Sequence, residues 1–326
     1  VRGTAVRFLC SALKGMVIQM NSFLTVGSRV LVLFLLISIG FVCNKTKMLN
    51  KEVNKKISDI VVIIVTPCVI IQSFQREFRT DLLKLLLLAM FLSAALHIIM
   101  IILSRILMHD KNETRERMFR FAAVFSNAGF MALPLQEALL GADGVFFGAA
   151  YVAFFNIFVW SYGIVEISGD KSLITPKKVL LSPGITGVAA GMIIFAFSIK
   201  LPYVLSSAIS YMAALNVPLP MLVIGYYLGN TDIIEALKDK ASYKCLFWRL
   251  IGFPCALLAL MYLCGIRGSM LTSMIIAVSA PVAATTTMFS EKFDSDTELS
   301  VRLVSVSTLL SMITMPLVIG LTQLIA

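Results

Sequence analysis

The chain has 326 residues, of which 59% are hydrophobic and 14% are charged, whereas a soluble domain is typically about 45–50% apolar and about 25% charged. This composition excludes a soluble globular protein and predicts a polytopic protein embedded in a lipid bilayer. The net charge of +10 does not indicate nucleic-acid binding, because the lysines and arginines lie between apolar segments, where they determine membrane topology. The six cysteines are scattered, so we expect neither a metal site nor a disulfide framework.

Ten apolar segments of about 20 residues each follow one another along the chain and predict ten transmembrane helices. We expect an all-α fold, because within a bilayer each segment must satisfy its own backbone hydrogen bonds. Residues 1–19 contain only a short apolar run and are predicted to form a disordered or interfacial extension. The predicted spans are residues 23–43, 57–74, 82–106, 119–140, 145–165, 179–199, 204–228, 245–264, 269–289 and 301–325.

Positive charges differ sharply between the two sets of loops that join these spans. Counted together with the ends of the spans that flank them, the odd-numbered loops carry 19 lysines and arginines, and the even-numbered loops carry five. Because cytoplasmic loops are enriched in lysine and arginine, we expect the odd-numbered loops in the cytoplasm and both termini outside the cell. The predicted location is the plasma membrane or bacterial inner membrane.

The order of spans repeats across the two halves of the chain. Each half runs as a plain span, a proline-containing span, a plain span, a broken span and a plain span. Five is an odd number, so the second half must enter the membrane from the opposite face. We therefore predict two inverted five-helix repeats within one integral domain, residues 20–166 and 167–326.

Two short segments interrupt the fourth and ninth spans with helix breakers and small polar residues. They read SNAGFMALP over residues 126–134 and SAPVAATTT over residues 279–287. Backbone freed inside a membrane is tolerated only where it is buried in protein or lines a cavity. Broken spans at corresponding places in two repeats indicate the binding site of a secondary transporter. Helices four and nine are therefore expected to break and cross near mid-membrane.

The chemistry predicted for this crossing is anion binding without charged side chains. Two half-helix N-termini would direct their dipoles and free amides at the crossing, and no acidic or basic residue lies within either break. The alternative is structural, because asparagine can bridge helices and hydroxyls can bond carbonyls freed by proline. The candidate substrate-binding residues are Ser126, Asn127, Gly129, Pro134, Asn156, Ser279, Pro281, Thr285 and Thr286.

Two other polar residues in or beside apolar spans are interpreted structurally. His97 has no acidic neighbour at helical spacing, which favours a packing or hydrogen-bonded histidine over a proton relay. Arg249 lies near one end of a span, so we expect it to extend to the membrane interface as an anchor.

Several stretches resemble the auxin efflux carrier family. Residues 125–163, FSNAGFMALPLQEALLGADGVFFGAAYVAFFNIFVWSYG, are similar to that family's fourth and fifth helices, and residues 22–74, 279–281 and 307–320 agree with it. The resemblance implies ten helices in two inverted repeats, with helices four and nine broken at crossing prolines. It implies a permease for organic anions. The family's crossover motifs map onto Asn127, Gly129 and Pro134, and onto Ser279 and Pro281. The loop of residues 166–178 is short, which favours a compact microbial-type member and puts auxin itself in doubt.

The leading hypothesis is a secondary carrier for a small organic anion such as a monocarboxylate or dicarboxylate, which works by alternating access. The alternative is a sodium-coupled symporter of the bile-acid-transporter type, which would need oxygen ligands for the cation near the breaks. An intramembrane enzyme is disfavoured, because no HExxH, GxSxG or paired aspartates occur within a span. A channel is disfavoured by the lack of a ring-forming filter motif. No cofactor is expected; substrate, direction, proton or sodium coupling, and assembly as a homodimer stay open.

Overall fold

The computed structural model describes residues 26–325, which are almost entirely helical. Seven of the helices are long and apolar enough to cross a membrane, so the prediction of a helical multi-pass membrane protein is confirmed. Residues 1–19, predicted to be an extension, and the start of the first predicted span lie outside the described residues. The number of ten spans stays a prediction.

The longest helical stretch, Ala128–Ser168, has 41 residues and would be about 62 Å long if it were straight. Gly141 divides it, because its backbone (φ 61°, ψ −146°) lies in a region that glycine adopts readily. We number the two parts α5 and α6. The helices are α1 (Val26–Lys45), α2 (Lys51–Phe74), α3 (Thr80–Leu107), α4 (Glu113–Val124), α5 (128–140), α6 (142–168), α7 (Pro183–Ala196), α8 (Tyr203–Gly229), α9 (Lys240–Leu263), α10 (Gly268–Ser279), α11 (Thr285–Lys292) and α12 (Thr297–Ile325).

Four helices begin at side-chain caps in odd-numbered loops, among them α12, where the Asp296 side chain accepts a hydrogen bond from the amide of Leu299. The Asn50 side chain accepts a hydrogen bond from the backbone of Val53, and Asn112 does the same for the first turn of α4. Asp239 caps α9 and also accepts hydrogen bonds from Arg115 at 2.9 and 3.1 Å. Such caps satisfy backbone amides that lack a partner within the helix. They fix where each helix leaves the loop.

Four π-helical turns interrupt the described helices, and proline follows three of them. The turn Val61–Val65 precedes Pro67, the turn at the start of α5 precedes Pro134, and the turn Trp248–Gly252 precedes Pro254. Proline removes one helical hydrogen bond and clashes with the preceding turn. A π-turn widens the helix there and relieves that clash.

The helices pack as two groups that meet along α6. In one group α2 packs against α7 and α8, and α1 packs against α8 at glycine. In the other, α3, α9 and α12 surround the broken helices. Leu31 and Leu35 of α1, and Phe91 of α3, remain exposed, as expected for surfaces that face lipid.

Glycines allow α1 and α8 to approach closely. A Cβ atom at Gly225 would lie 2.2 Å from the carbonyl oxygen of Ile37, and one at Gly40 would lie 2.5 Å from the carbonyl oxygen of Leu222. Backbone atoms cannot move aside as a flexible side chain can. Small residues at such a contact are a general means of helix association in membranes.

We expect Gly225→Ala to lower the thermal unfolding midpoint of the purified protein in detergent, because its methyl group would push α8 away from α1. Overpacking of this kind costs about 1–3 kcal/mol. Gly27→Ala is the matched control, because a Cβ atom there meets no atom within 4 Å. Equal midpoints for the two variants would contradict the α1–α8 contact.

Candidate functional site

The two broken segments cross and pair with each other through their backbones. Ser126 and Val282 form an antiparallel bridge. The amide of Asn127 donates to the carbonyl of Pro281 at 2.8 Å, and the amide of Ala283 donates to the carbonyl of Phe125 at 3.0 Å. Each broken segment thus supplies hydrogen-bond partners for backbone amides and carbonyls of the other segment that have no partner in their own helix. A membrane interior requires such pairing.

One further amide of the crossing finds its partner on α12. The Val282 amide, which points away from the bridge, donates to the Ser307 hydroxyl oxygen at 3.0 Å. Ser307 in turn donates to the carbonyl of Val304 within its own helix. A single α12 side chain therefore anchors the second broken segment.

Arg249 lies at the crossing and is fully buried, so the expectation that it reaches the membrane interface is wrong. Its guanidinium donates to the carbonyls of Ala123 and Val124 at 3.0 and 3.1 Å, and also to the carbonyl of Val278. These carbonyls end α4 and α10, whose C-termini carry partial negative charge. The side chain leaves α9 from the π-turn Trp248–Gly252. Arg249 thereby joins the ends of both half-helices.

A cavity of about 220 Å³ opens beside the crossing. It lies between the two groups of helices: Val62, Thr66 and Gly184 line it from the group of α2 and α7, and the other lining residues come from α5, α6, α11 and the crossing. The exposed Lys292 forms part of its rim. The cavity therefore extends along α11 from the crossing to the end of that helix.

The inner end of the cavity is polar but uncharged. The Nδ2 atom of Asn127 is buried without a hydrogen bond, as is the Oγ1 atom of Thr285. Asn127 precedes the first turn of α5, whose N-terminus faces the cavity at Ala128 and Gly129. An N-terminus with free donors beside it favours an anion.

The remaining walls are largely apolar and aromatic. Phe130, Phe155, Trp160 and Phe289 line them. Lys292 at the rim has its Nζ atom 5.8 Å from the ring centroid of Trp160. A ligand with one charged end and an apolar body would suit this cavity, because burial of the body is favourable and the walls offer few polar groups.

Asn156 occupies a crowded place on the cavity wall. Its Nδ2 atom donates to the carbonyl of Val152 at 2.8 Å in its own helix. The helix α7 approaches it at Gly184, where a Cβ atom would lie 2.4 Å from Nδ2.

The structure brings five of the nine predicted site residues to the cavity and places four outside its lining. The five are Ser126, Asn127, Gly129, Asn156 and Thr285. The other four are buried close by: Pro134 in α5, Ser279 at the end of α10, Pro281 in the backbone pairing and Thr286 in α11. Binding of substrate by any of the nine stays a prediction.

Sequence reasoning missed Lys292 and placed Arg249 wrongly at the membrane interface. Lys292 follows Thr285 by seven residues on one helix face, a spacing that could have placed it near the site. Arg249 had one available signal, a lone arginine in the run CLFWRLIGFPCALL with no acidic residue beside it. Its contact with two distant half-helices could not be read from that run.

Two further observations concern titratable groups. His97 is buried, with its Nδ1 atom 2.7 Å from the carbonyl oxygen of Ser93 and its ring stacked on Phe158; it does not line the cavity. Within residues 26–325, no three His, Cys, Asp or Glu side chains come together in a group that could hold a metal ion. Besides the Lys292 ammonium at the rim, the amide, hydroxyl and backbone groups described above are the polar groups that the cavity offers a ligand.

The chain is similar to known transport proteins over most of its length. A family model described as a membrane transport protein matches residues 25–177 and 170–319. An uncharacterized transporter of Methanothermobacter thermautotrophicus is 22% identical over 293 residues, which make up 88% of this chain and 95% of that protein. The family match includes both broken segments and every residue that lines the cavity.

We expect Ser307→Ala to lower the thermal unfolding midpoint, because it leaves the buried amide of Val282 without an acceptor. Such a loss costs about 1–3 kcal/mol. Ser311→Ala is the control: the Ser311 hydroxyl is also buried in α12, but its closest contact is the Thr308 carbonyl of its own helix, at 2.6 Å. If both variants unfolded alike, Ser307 would have no special part in holding the crossing.

Proposed function

Because the chain belongs to the membrane transport protein family, that of the auxin efflux carriers, we propose that it is a secondary carrier that moves a small organic anion across the membrane by alternating access. The observation that carries the proposal is the α5 N-terminus, which faces a cavity between two groups of helices with an unpaired amide beside it.

The anionic group of the substrate is a carboxylate held at the inner end of the cavity. Its oxygens would accept hydrogen bonds from the Asn127 Nδ2 atom and the Thr285 hydroxyl, which are otherwise unpaired, and from amides in the first turn of α5. Hydrogen bonds to a charged group contribute about 1.5–3 kcal/mol each. Ser126 and Gly129 shape this end, and Asn156 lies on the neighbouring wall.

The substrate body packs against the aromatic walls. Phe130, Phe155 and Phe289 leave little polar surface for a second carboxylate close to the first. The substrate class that fits best is therefore a monocarboxylate with an apolar body, such as phenylacetate. Lys292 at the rim attracts such anions from solution, because a positive charge at a cleft raises the local concentration of anions.

Alternating access follows from where the cavity lies. Helices α2 and α7 form one wall, and the broken helices with α6 form the other, so relative movement of the two groups would close one entrance and open another. The cavity opens at Lys292, which lies on the side of the odd-numbered loops. With those loops in the cytoplasm, the structure corresponds to an inward-open state and both termini lie outside.

The inverted-repeat architecture belongs to the same proposal. If α4 with α5, and α10 with α11, each count as one broken span, the described helices make ten spans in two halves, residues 20–166 and 167–326. The antiparallel bridge at the crossing supports this arrangement, because broken helices that enter from opposite faces run in opposite directions.

We expect the purified wild-type protein in liposomes to take up radiolabelled phenylacetate. The Asn127→Ala variant should take it up with an apparent affinity about 10- to 100-fold lower, because a hydrogen bond to a charged group is lost. Asn230→Ala is the control, because Asn230 lies outside the cavity and bonds the carbonyl of Tyr226 in its own helix.

Undiminished uptake by Asn127→Ala would refute the site, and absence of uptake with phenylacetate and with malonate would refute an organic-anion carrier. Replacement of sodium by choline tests the sodium-coupled alternative in the same assay. Unchanged uptake in choline would exclude it.

A further inference from the structure

The crossing holds a positive charge that no acidic side chain balances. Among the side chains whose burial the structure describes, Glu166 and Arg249 are the only buried Asp, Glu, Lys or Arg. Glu166 lies at the end of α6, 3.6–3.9 Å from Arg120 and Arg105. Arg249 has three carbonyl partners and, in the part of the chain that the structure describes, no carboxylate within ion-pair distance. Arginine remains protonated in proteins, so this charge is permanent.

The backbone at the crossing contributes charge of both signs. Four half-helix ends meet there: the C-termini of α4 and α10, and the N-termini of α5 and α11. Each end is equivalent to roughly half an elementary charge, negative at a C-terminus and positive at an N-terminus. The two C-termini offset Arg249, which binds them directly. The two N-termini then leave the crossing with a net charge of about +1.

We propose that Arg249 sets the charge of the crossing so that a substrate with a single negative charge neutralises it, and that the loaded carrier therefore changes conformation without moving net charge through the membrane field. This proposal rests on the proposed function. The voltage-dependent step is then the return of the empty carrier, which bears the uncompensated positive charge. Lys292 does not alter the balance, because it is exposed at the rim, where water screens its charge.

Two modes of flux separate these steps. Exchange of phenylacetate for phenylacetate uses only the loaded carrier, whereas net efflux also requires the empty carrier to return. Both are measured in liposomes with potentials set by potassium gradients and valinomycin, at pH 8, where a free imidazole is neutral and His97 adds no charge. Protein-free liposomes correct for passive leak of the acid.

We expect wild-type exchange to be unchanged by a potential of 100 mV in either direction. Net efflux should change several-fold, with an upper limit of about 50-fold for a full charge that crosses the whole field. Voltage-sensitive exchange by the wild type would overturn the inference and leave the carrier intact. Absence of flux in both modes would refute the carrier itself, and the inference with it.

Substitutions at Arg249 assign the charge to this residue. In Arg249→Met the loaded carrier would bear one negative charge, so we expect exchange to become voltage-sensitive; in Arg249→Lys, which keeps the charge, exchange should stay insensitive. A purely structural role would slow both modes without altering their response to voltage. Arg302→Met is the control, because Arg302 pairs with Glu298 away from the crossing. If Arg249→Met does not fold, voltage-sensitive exchange by the wild type would still overturn the inference.

Discussion

The structure depends on one constraint, that backbone groups released inside a membrane must find new partners. Both broken helices release such groups at the same depth, and they solve the problem jointly by pairing along Phe125–Asn127 and Pro281–Ala283. An unpaired amide or carbonyl in hydrocarbon costs several kcal/mol. The crossing is therefore a requirement of the breaks, and each break is tolerated because the other exists.

The same unwinding that creates this cost also creates the surface that we propose binds the substrate. A continuous fourth helix would hold the backbone amides of Ala128, Gly129 and Phe130 in its own hydrogen-bond ladder and would present no N-terminus at this depth. Once the chain breaks, four helix ends meet, and their partial charges must be balanced. Arg249 meets the negative ends with direct hydrogen bonds, whereas the positive end of α5 is left facing the cavity. The C-terminal ends of the half-helices thus serve structural stability, and the N-terminal end of α5 serves the proposed recognition of the ligand.

The sequence predicted much of this arrangement, because local signals cause it. Apolar segments determine the helices, and proline, glycine and small polar residues determine where they break; hence Asn127, Gly129 and Thr285 were predicted near a site, and they line the cavity. Arg249 was misplaced because its role depends on a π-turn that redirects its side chain, and on carbonyls more than 100 residues upstream. Pro134 and Thr286 belong to the same broken segments but lie outside the cavity lining. The sequence did not distinguish them from the lining residues, because helical periodicity and composition do not show which face of a half-helix lines the cavity.

The shortness of the half-helices has a consequence for biosynthesis. The helix α4 has 12 residues and is about 18 Å long, whereas the hydrocarbon core is about 30 Å thick. The amide that satisfies the Phe125 carbonyl belongs to Ala283, which the ribosome adds more than 150 residues later. Until Ala283 is synthesised, the first half of a nascent chain holds backbone groups of its broken segment without hydrogen-bond partners in the bilayer. A chain truncated before that point would keep this defect, and quality-control proteases could recognise it as incomplete.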